Sequence, residues 1–484
     1  MNLAFLQDFV PIGLLVLGAA VCCWLDLRQE SRWAGGSLTR WVALGTLLVA
    51  FLACIGFWKS SFGPTPPDIE HGSFLIDRFA LFFYAAALAG AGAIILCGSD
   101  AEAELDPHVG VYHALLLVAT AGVMFTASAA DLVSLAVGLA LTTLPLAIAH
   151  GLRKTDTSAM RTATRSLAIS GGLLIAFVTG EAIVAGVSGA TGLRAIVRQP
   201  LPVDPLMALA ALLLVVGAVG QLGLFPFGSW RAREVQQSPL GPGTARTALV
   251  ALGALAALMR LLPGALGGVP LDWTVTVSIL AALTLLAAPV LALRQRRLLA
   301  AVQHLLVAQL ALALVALVAI SKPATASILY LLLAVVPLAA VALGLWGAFR
   351  RQGDDDSRAA LRGLWARTPR LAGMLAVLVV ASAGLPPLTG FFVRIFSAEA
   401  AMRAGFGWLA WVAVVSGVLC AVVAYRWVMV IFDTRADGPE LALPGTAALV
   451  GVALCGLSAF GFVVALGPLM GIATRAALPP LFGP

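Results

Sequence analysis

What most constrains this chain is a succession of apolar stretches, each of about 17 to 25 residues. That is the length a helix needs to cross a hydrocarbon layer roughly 30 Å thick, and the stretches follow one another from end to end. Of 484 residues 61% are hydrophobic and 11% charged, whereas a soluble domain is about half apolar and a quarter charged. A water-soluble globule is excluded. The 49 Gly and 26 Pro are scattered through Leu/Ala/Val runs with no alternating strand pattern, so helices and not a β-barrel must satisfy the backbone inside a membrane. The expectation is an all-α membrane protein of about fourteen spans, beginning near residues 9, 41, 79, 110, 131, 166, 203, 244, 272, 298, 325, 371, 407 and 444.

The formal charge of +7 could suggest a nucleic-acid partner, but the basic residues lie mostly between spans and topology accounts for them. One set of loops, with Arg28, Arg40, Arg153, Lys154, Arg231, Arg294 and Arg350 to Arg370 among its members, holds twenty Lys and Arg; the opposite set holds eight. The richer set is expected to be cytoplasmic, which puts both termini on the outer side of a bacterial-type inner membrane. No nucleic-acid partner is expected; lipids are.

Chemistry-bearing motifs are sparse. The six cysteines (Cys22, Cys23, Cys54, Cys97, Cys420, Cys455) lie in apolar runs without CxxC spacing, so neither metal nor cluster ligation is indicated. No GxxxxGK[ST], strand-linked GxGxxG or HExxH occurs, and the N-terminus lacks the basic region of a cleavable signal peptide. Redox chemistry would belong to partners.

Two spans are interrupted alike. The seventh runs through Gln221 to Phe225-Pro226-Phe227 and the twelfth through Gly384-Leu-Pro386-Pro387 to Arg394. Proline removes a backbone donor and clashes with the preceding turn, so both helices are expected to break at membrane depth. Matching breaks point to inverted repeats around a transport path, here spans 4–8 and 9–13; two unrelated kinks are the alternative. The implied division is residues 1–108, 109–264, 265–436 and 437–484.

Several segments carry a family likeness. Asp77-Arg-Phe-Ala-Leu-Phe-Phe83, Ala127 to Leu141, Gly189-Ala-Thr-Gly192, Phe225-Pro-Phe227, Arg297-Leu-Leu-Ala300 and, most specifically, Gly384 to Phe392 resemble the antiporter-like subunits of respiratory complex I and of multisubunit cation/proton antiporters. The length is most similar to subunit N of the bacterial NADH-quinone oxidoreductase. The resemblance implies neighbouring membrane-arm subunits, with NADH, FMN, iron–sulfur clusters and quinone held by partners and no cofactor in this chain.

The family's proposed proton route uses buried charges, and here this chain departs from it. The fifth-span glutamate is replaced by Ala140, the seventh-span lysine by Gln221, the eighth-span lysine by Ala251 and the twelfth-span lysine by Arg394. The family histidine after Arg-Leu-Leu-Ala falls at Leu306, with His304 two positions away. Losing carboxylate and ammonium together avoids stranding one buried charge. Glutamine cannot exchange a proton near neutral pH, so the first half is expected to lack a titratable centre. Arg394, a permanent cation, is expected either to brace carbonyls freed by Pro386 and Pro387 or to tune a wet path. The proton-path candidates are therefore Arg394, Gln221, Glu181 in the sixth span and His304.

The other ionisable groups have plainer expectations. Glu399 and Arg403 should pair at i,i+4, Arg426 should be an anchor, and Asp354-Asp-Asp356 should be a solvated charge cluster. Three functional readings stand: a divergent link in the membrane arm of a proton-translocating NADH-quinone oxidoreductase, a non-pumping scaffold of the same fold, or a subunit of a cation/proton antiporter or membrane-bound hydrogenase-like complex.

Overall fold

The computed structural model describes residues 9–28, 35–61, 69–71, 73–105, 108–152, 157–199, 202, 204–227, 234, 240–266, 273–351, 356–434 and 443–477. Arg32, Arg153, Lys154, Arg231, Arg233, Asp354, Asp355 and Arg435 lie outside the described residues, as do the side chains of Lys59, Arg350 and Arg351.

In chain order the main helices are α1 (Val10–Arg28), α2 (Gly35–Ser61), α3 (Arg78–Cys97), α4 (Val109–Ala127), α5 (Leu132–Ala149), α6 (Thr157–Ser188), α7 (Pro205–Gln221), α8 (Leu240–Met259), α9 (Trp273–Arg294), α10 (Leu298–Leu317) and α11 (Lys322–Arg351). They are followed by α12 (Pro369–Ala383), α13 (Thr389–Arg403), α14 (Gly407–Ile431), α15 (Thr446–Val464) and α16 (Leu466–Ala476). Among the described residues eleven helices are long and apolar enough to cross a membrane, and Pro205–Gln221, Pro369–Ala383 and Thr446–Leu457 are shorter apolar helices at the seventh, twelfth and fourteenth expected positions. The second and sixth expected starts are the furthest off: α2 begins at Gly35 and α6 at Thr157, because a helix can continue through a polar turn that hydropathy does not register.

Local sequence fixes many ends. Asp77, Asp131 and Asp204 each cap a helix, accepting the amides of Ala80, Ser134 and Met207 at 2.8, 2.6 and 2.8 Å, which satisfies donors that the first turn leaves unpaired. Small residues let helices close on one another: a Cβ at Gly122 of α4 would sit 2.4 Å from the Thr142 nitrogen of α5, and one at Gly138 of α5 would sit 2.6 Å from the Thr126 nitrogen of α4. Without a hydrophobic force between helices in lipid, such backbone approach is a main source of cohesion. Helices α8 and α10 are wholly enclosed. Helix α11 packs on α3, α8, α10, α12, α13, α15 and α16 and so forms the spine.

Two short bridges recur. Before α5, Asp131 pairs with Gly192, with Leu132 N donating to Thr191 O (3.0 Å) and Leu193 N to Ala130 O (2.9 Å). Before α10, Arg297 pairs with Ser357 in the same pattern, Leu298 N donating to Asp356 O (3.0 Å) and Arg358 N to Arg296 O (3.3 Å).

Candidate functional site

The two interruptions are real breaks, and a glycine starts each one. Pro145, Pro289 and Pro337 sit inside continuous helices, so proline alone does not stop the chain here. At the breaks a glycine adopts the left-handed region, Gly223 with φ 68° and Gly384 with φ 67°, followed by Leu224-Phe225-Pro226 in the first and Leu385-Pro386 in the second. Helix α7 ends at Gln221 and α12 at Ala383. Only Gly takes that conformation without steric cost.

At the first break the fully buried Gln221 donates through Nε2 to Ser170 O of α6 at 2.9 Å, and Phe225 N donates to Thr284 Oγ1 of α9 at 3.1 Å. Ser170 leads to a cluster that the sequence reading missed. Arg246 of α8 donates to the hydroxyls of Ser166 and Ser170 and lies 3.2 Å from Glu234. Glu234 also accepts from Ser166 and lies 3.0 Å from Nε2 of His150. All three ionisable side chains are buried. The expectation that the first half lacks a titratable centre is therefore corrected: Glu234, Arg246 and His150 form a buried ionisable cluster beside α6. Nothing in hydropathy marks them, because Glu234 lies in a polar segment that reads as a loop and Arg246 reads as the basic flank of a span.

At the second break the gap is filled from α10. Gln309 donates to Ser382 O at 3.4 Å, and its amide occupies the space that a Cβ on Gly384 would need, 2.0 Å away. Arg394 lies elsewhere than at the freed carbonyls. It donates through Nη1 to Ala413 O of α14 at 2.8 Å and lies over Gly417, whose absent Cβ would be 3.1 Å from Arg394 Cδ. Cys420 lies alongside the guanidinium. Nε and Nη2 are buried without a hydrogen-bond partner among the described residues. Arg394 belongs to the second turn of α13, and this position directs it sideways onto α14.

The remaining candidates separate. Glu181 is 4% exposed, and its Oε1 has no hydrogen-bond partner among the described residues. His304 is buried, with Nδ1 2.7 Å from Ala300 O one turn earlier. Ala140 is half-buried on α5, and Ala251 is enclosed in α8. Glu399 and Arg403 pair on the exposed face, and Arg426 donates to Leu293 O at 3.1 Å, as an anchor should. Asp356 is not solvated: it is 7% exposed and caps α10 by accepting Leu299 N at 2.9 Å. Arg260 is fully buried in a two-pronged pair with Asp77 at 2.8 and 2.9 Å. A further buried cluster joins Glu102 to Arg40 and, at 3.1 Å, to His113. Among the described residues no group of three or more His, Cys, Asp or Glu is arranged to hold a metal.

As chemistry, this interior pairs Arg40, Arg246 and Arg260 with carboxylates, leaves Arg394 on a backbone carbonyl and holds a neutral amide at the first break. Buried pairs of this kind brace a fold; Gln221 and Arg394 cannot cycle through protonation states near neutral pH.

Comparison with known proteins fits this architecture. NADH-quinone oxidoreductase subunit N 1 of Sorangium cellulosum is 28% identical over 97% of both chains, and subunit N of Desulforamulus reducens is 24% identical over 99% of both. A chain of Thermus thermophilus respiratory complex I superposes with a TM-score of 0.79 at 21% identity, covering 96% of this chain and all of that one. A chain of the Mrp complex from Dietzia sp. gives 0.82 at 17% identity, over 98% and 97%. These likenesses establish the fold. The family model described as "NADH:quinone oxidoreductase/Mrp antiporter, TM" matches residues 129–420, more than half of the chain, and the chain belongs to that family.

Proposed function

We propose that the chain is a membrane-arm subunit of a proton-translocating NADH-quinone oxidoreductase in which the charge relay has degenerated, so that it braces and seals the arm and is at most weakly coupled to translocation. The observation that carries this reading is the contrast between a retained architecture, both breaks included, and the neutral residues Ala140, Gln221 and Ala251 at the family's charge positions. NADH, FMN, iron–sulfur clusters and quinone then belong to partner subunits. The relatives named subunit N support this setting.

Within it, residues 109–264 and 265–436 form two inverted five-span repeats, flanked by 1–108 and 437–484. The paired bridges at Asp131–Gly192 and Arg297–Ser357 support this, since each joins the start of the second span of a unit to the residue before a short helix after the third. In this reading, which the arginine bias supports, the first bridge lies outside and the second in the cytoplasm, with both termini outside a bacterial inner membrane.

Purification in mild detergent through a tag on this chain tests the assignment. NADH-oxidising and quinone-reactive partners are expected. The family also includes Mrp antiporter subunits, and a chain of an archaeal membrane-bound sulfane sulfur reductase shares the fold with a TM-score of 0.83 at 18% identity; antiporter or hydrogenase-like partners would replace the proposal with that second reading.

A further inference from the structure

A lateral groove of about 700 Å³ lies between α11, α12 and α15. Its walls include Leu338 and Val341 of α11, Gly373 and Val377 of α12, and Gly456 and Leu457 of α15. Apart from Arg370, every lining side chain is apolar or absent. The groove extends from Arg370 at the start of α12 to Leu388 in the second break, about 20 Å along the helix. Long, narrow and apolar, the space suits an extended hydrocarbon chain.

The Arg370 end carries the complementary charge. Arg370 is exposed and has no hydrogen bond or ion pair among the described residues. Its neighbours are occupied: Arg362 pairs with Asp433 at 2.6 Å, and Arg367 donates to Ala360 O and Arg362 O. No Asp or Glu lines the groove. Beside Arg370, α12 opens with Pro369 and no side-chain cap, and Thr368 Oγ1 is buried without a partner among the described residues. The first amides of a helix and its positive end favour an anion. Trp365 lies at the same end, half exposed and stacked on Phe432 at 4.7 Å, the amphipathic arrangement typical of a membrane interface.

We propose that this groove binds an anionic phospholipid, its phosphate held by Arg370 and the start of α12, and one acyl chain laid along α12 to Leu388. The bound chain ends against the Pro386-Pro387 break and keeps that side of it dry. The arginine-rich end assigns the lipid to the cytoplasmic leaflet, a point that rests on the orientation proposed above; the binding itself does not.

The test is tryptophan quenching in the complex purified through this chain, delipidated and titrated with phosphatidylglycerol or phosphatidylcholine carrying brominated acyl chains; Trp365→Phe isolates the Trp365 signal. Phosphatidylglycerol should quench Trp365 at lower concentration than phosphatidylcholine. Arg370→Gln should weaken phosphatidylglycerol about tenfold and abolish the headgroup preference. A Cβ at Gly456 meets nothing within 4 Å, so Gly456→Phe can fill the groove and should abolish quenching by both lipids; Gly373→Leu serves the same purpose if that variant fails to assemble. Equal binding to Arg370→Gln and the parent, quenching that survives both groove-filling variants, or a Trp365 that no lipid quenches would each overturn the proposal. No NADH turnover enters the readout, so its failure is separate from any failure of the functional assignment.

Discussion

The two breaks look alike in sequence and are supported in opposite ways. At the first, the amide of Gln221 is tied to Ser170, and Ser170 continues into a closed ionic cluster in which Arg246 faces Glu234 and Glu234 faces His150. At the second, a neutral amide from another helix, Gln309, fills the gap, while the cation Arg394 leans on a backbone carbonyl of α14 with no acidic partner among the described residues. The difference teaches that one membrane fold can hold buried cations in two ways: locked to a carboxylate beside the first break, and leaning on a single backbone carbonyl over a glycine beside the second.

The sharpest way to break that comparison is to remove one cation from each side. Arg246→Ala leaves Glu234 buried without its cation, and losing one partner of such a pair costs about 3–5 kcal/mol. We expect little assembled complex. Arg394→Ala strands no carboxylate and loses a hydrogen bond made by a charged group, about 1.5–3 kcal/mol. Size-exclusion yield and thermal unfolding of the complex would check both. Replacing the pair together, Arg246→Met with Glu234→Gln, should restore much of the first loss. Equal penalties for the two arginines would erase the distinction.

The glycines give a second, smaller contrast. A residue with a Cβ in the left-handed region costs about 1–2 kcal/mol, so Gly223→Ala and Gly384→Ala should both destabilise. Gly384→Ala should be the worse, because the new Cβ would collide with the Gln309 amide. Adding Gln309→Ala should narrow the difference in melting temperature; if it does not, Gln309 is not what fills the break.

How much of this could be read from sequence follows from what each signal measures. Span positions were legible because apolar length is a direct consequence of bilayer thickness, and both breaks were legible as prolines, although Pro145, Pro289 and Pro337 show that the deciding residues are Gly223 and Gly384. The ionic cluster was not legible. Glu234, Arg246 and His150 are separated in sequence and lie near span ends, where charge normally means solvent, and only packing of α5, α6 and α8 brings them together. Asp356 was misread for the same reason: its neighbours in sequence suggest a solvated run, but its side chain caps α10. The contact made by Arg394 was missed because a break suggests its own carbonyls as partners, whereas side-chain direction along α13 favours Ala413 and Gly417.

Arg394→Lys sharpens the second half at lower cost. An ammonium can keep one bond to Ala413 O, so stability should fall by no more than about 1 kcal/mol. If the residue is an anchor, passive proton leak of liposomes holding the complex should not change. A buried lysine, unlike arginine, can lose its proton, so a leak specific to Arg394→Lys would show that permanent charge is needed to keep protons out.

The smallest effect is expected at Gln221, the neutral amide beside the first break. Gln221→Leu removes one hydrogen bond, to a carbonyl that already belongs to the α6 ladder, a cost of about 1 kcal/mol; the ionic cluster beyond Ser170 keeps its own contacts. No titratable group is deleted. The proton-to-electron ratio of the complex should therefore equal that of the parent, measured as proton uptake per NADH oxidised in sealed vesicles. Gln221→Lys should be worse than Gln221→Leu, because the ammonium would share Ser170 with the Arg246 guanidinium and like charges repel strongly when desolvated. Adding Ala140→Glu on α5 should recover part of that loss. A fall in the ratio for Gln221→Leu with assembly intact would show that the amide organises a water path, and the first break would then be a working part of translocation and not a brace.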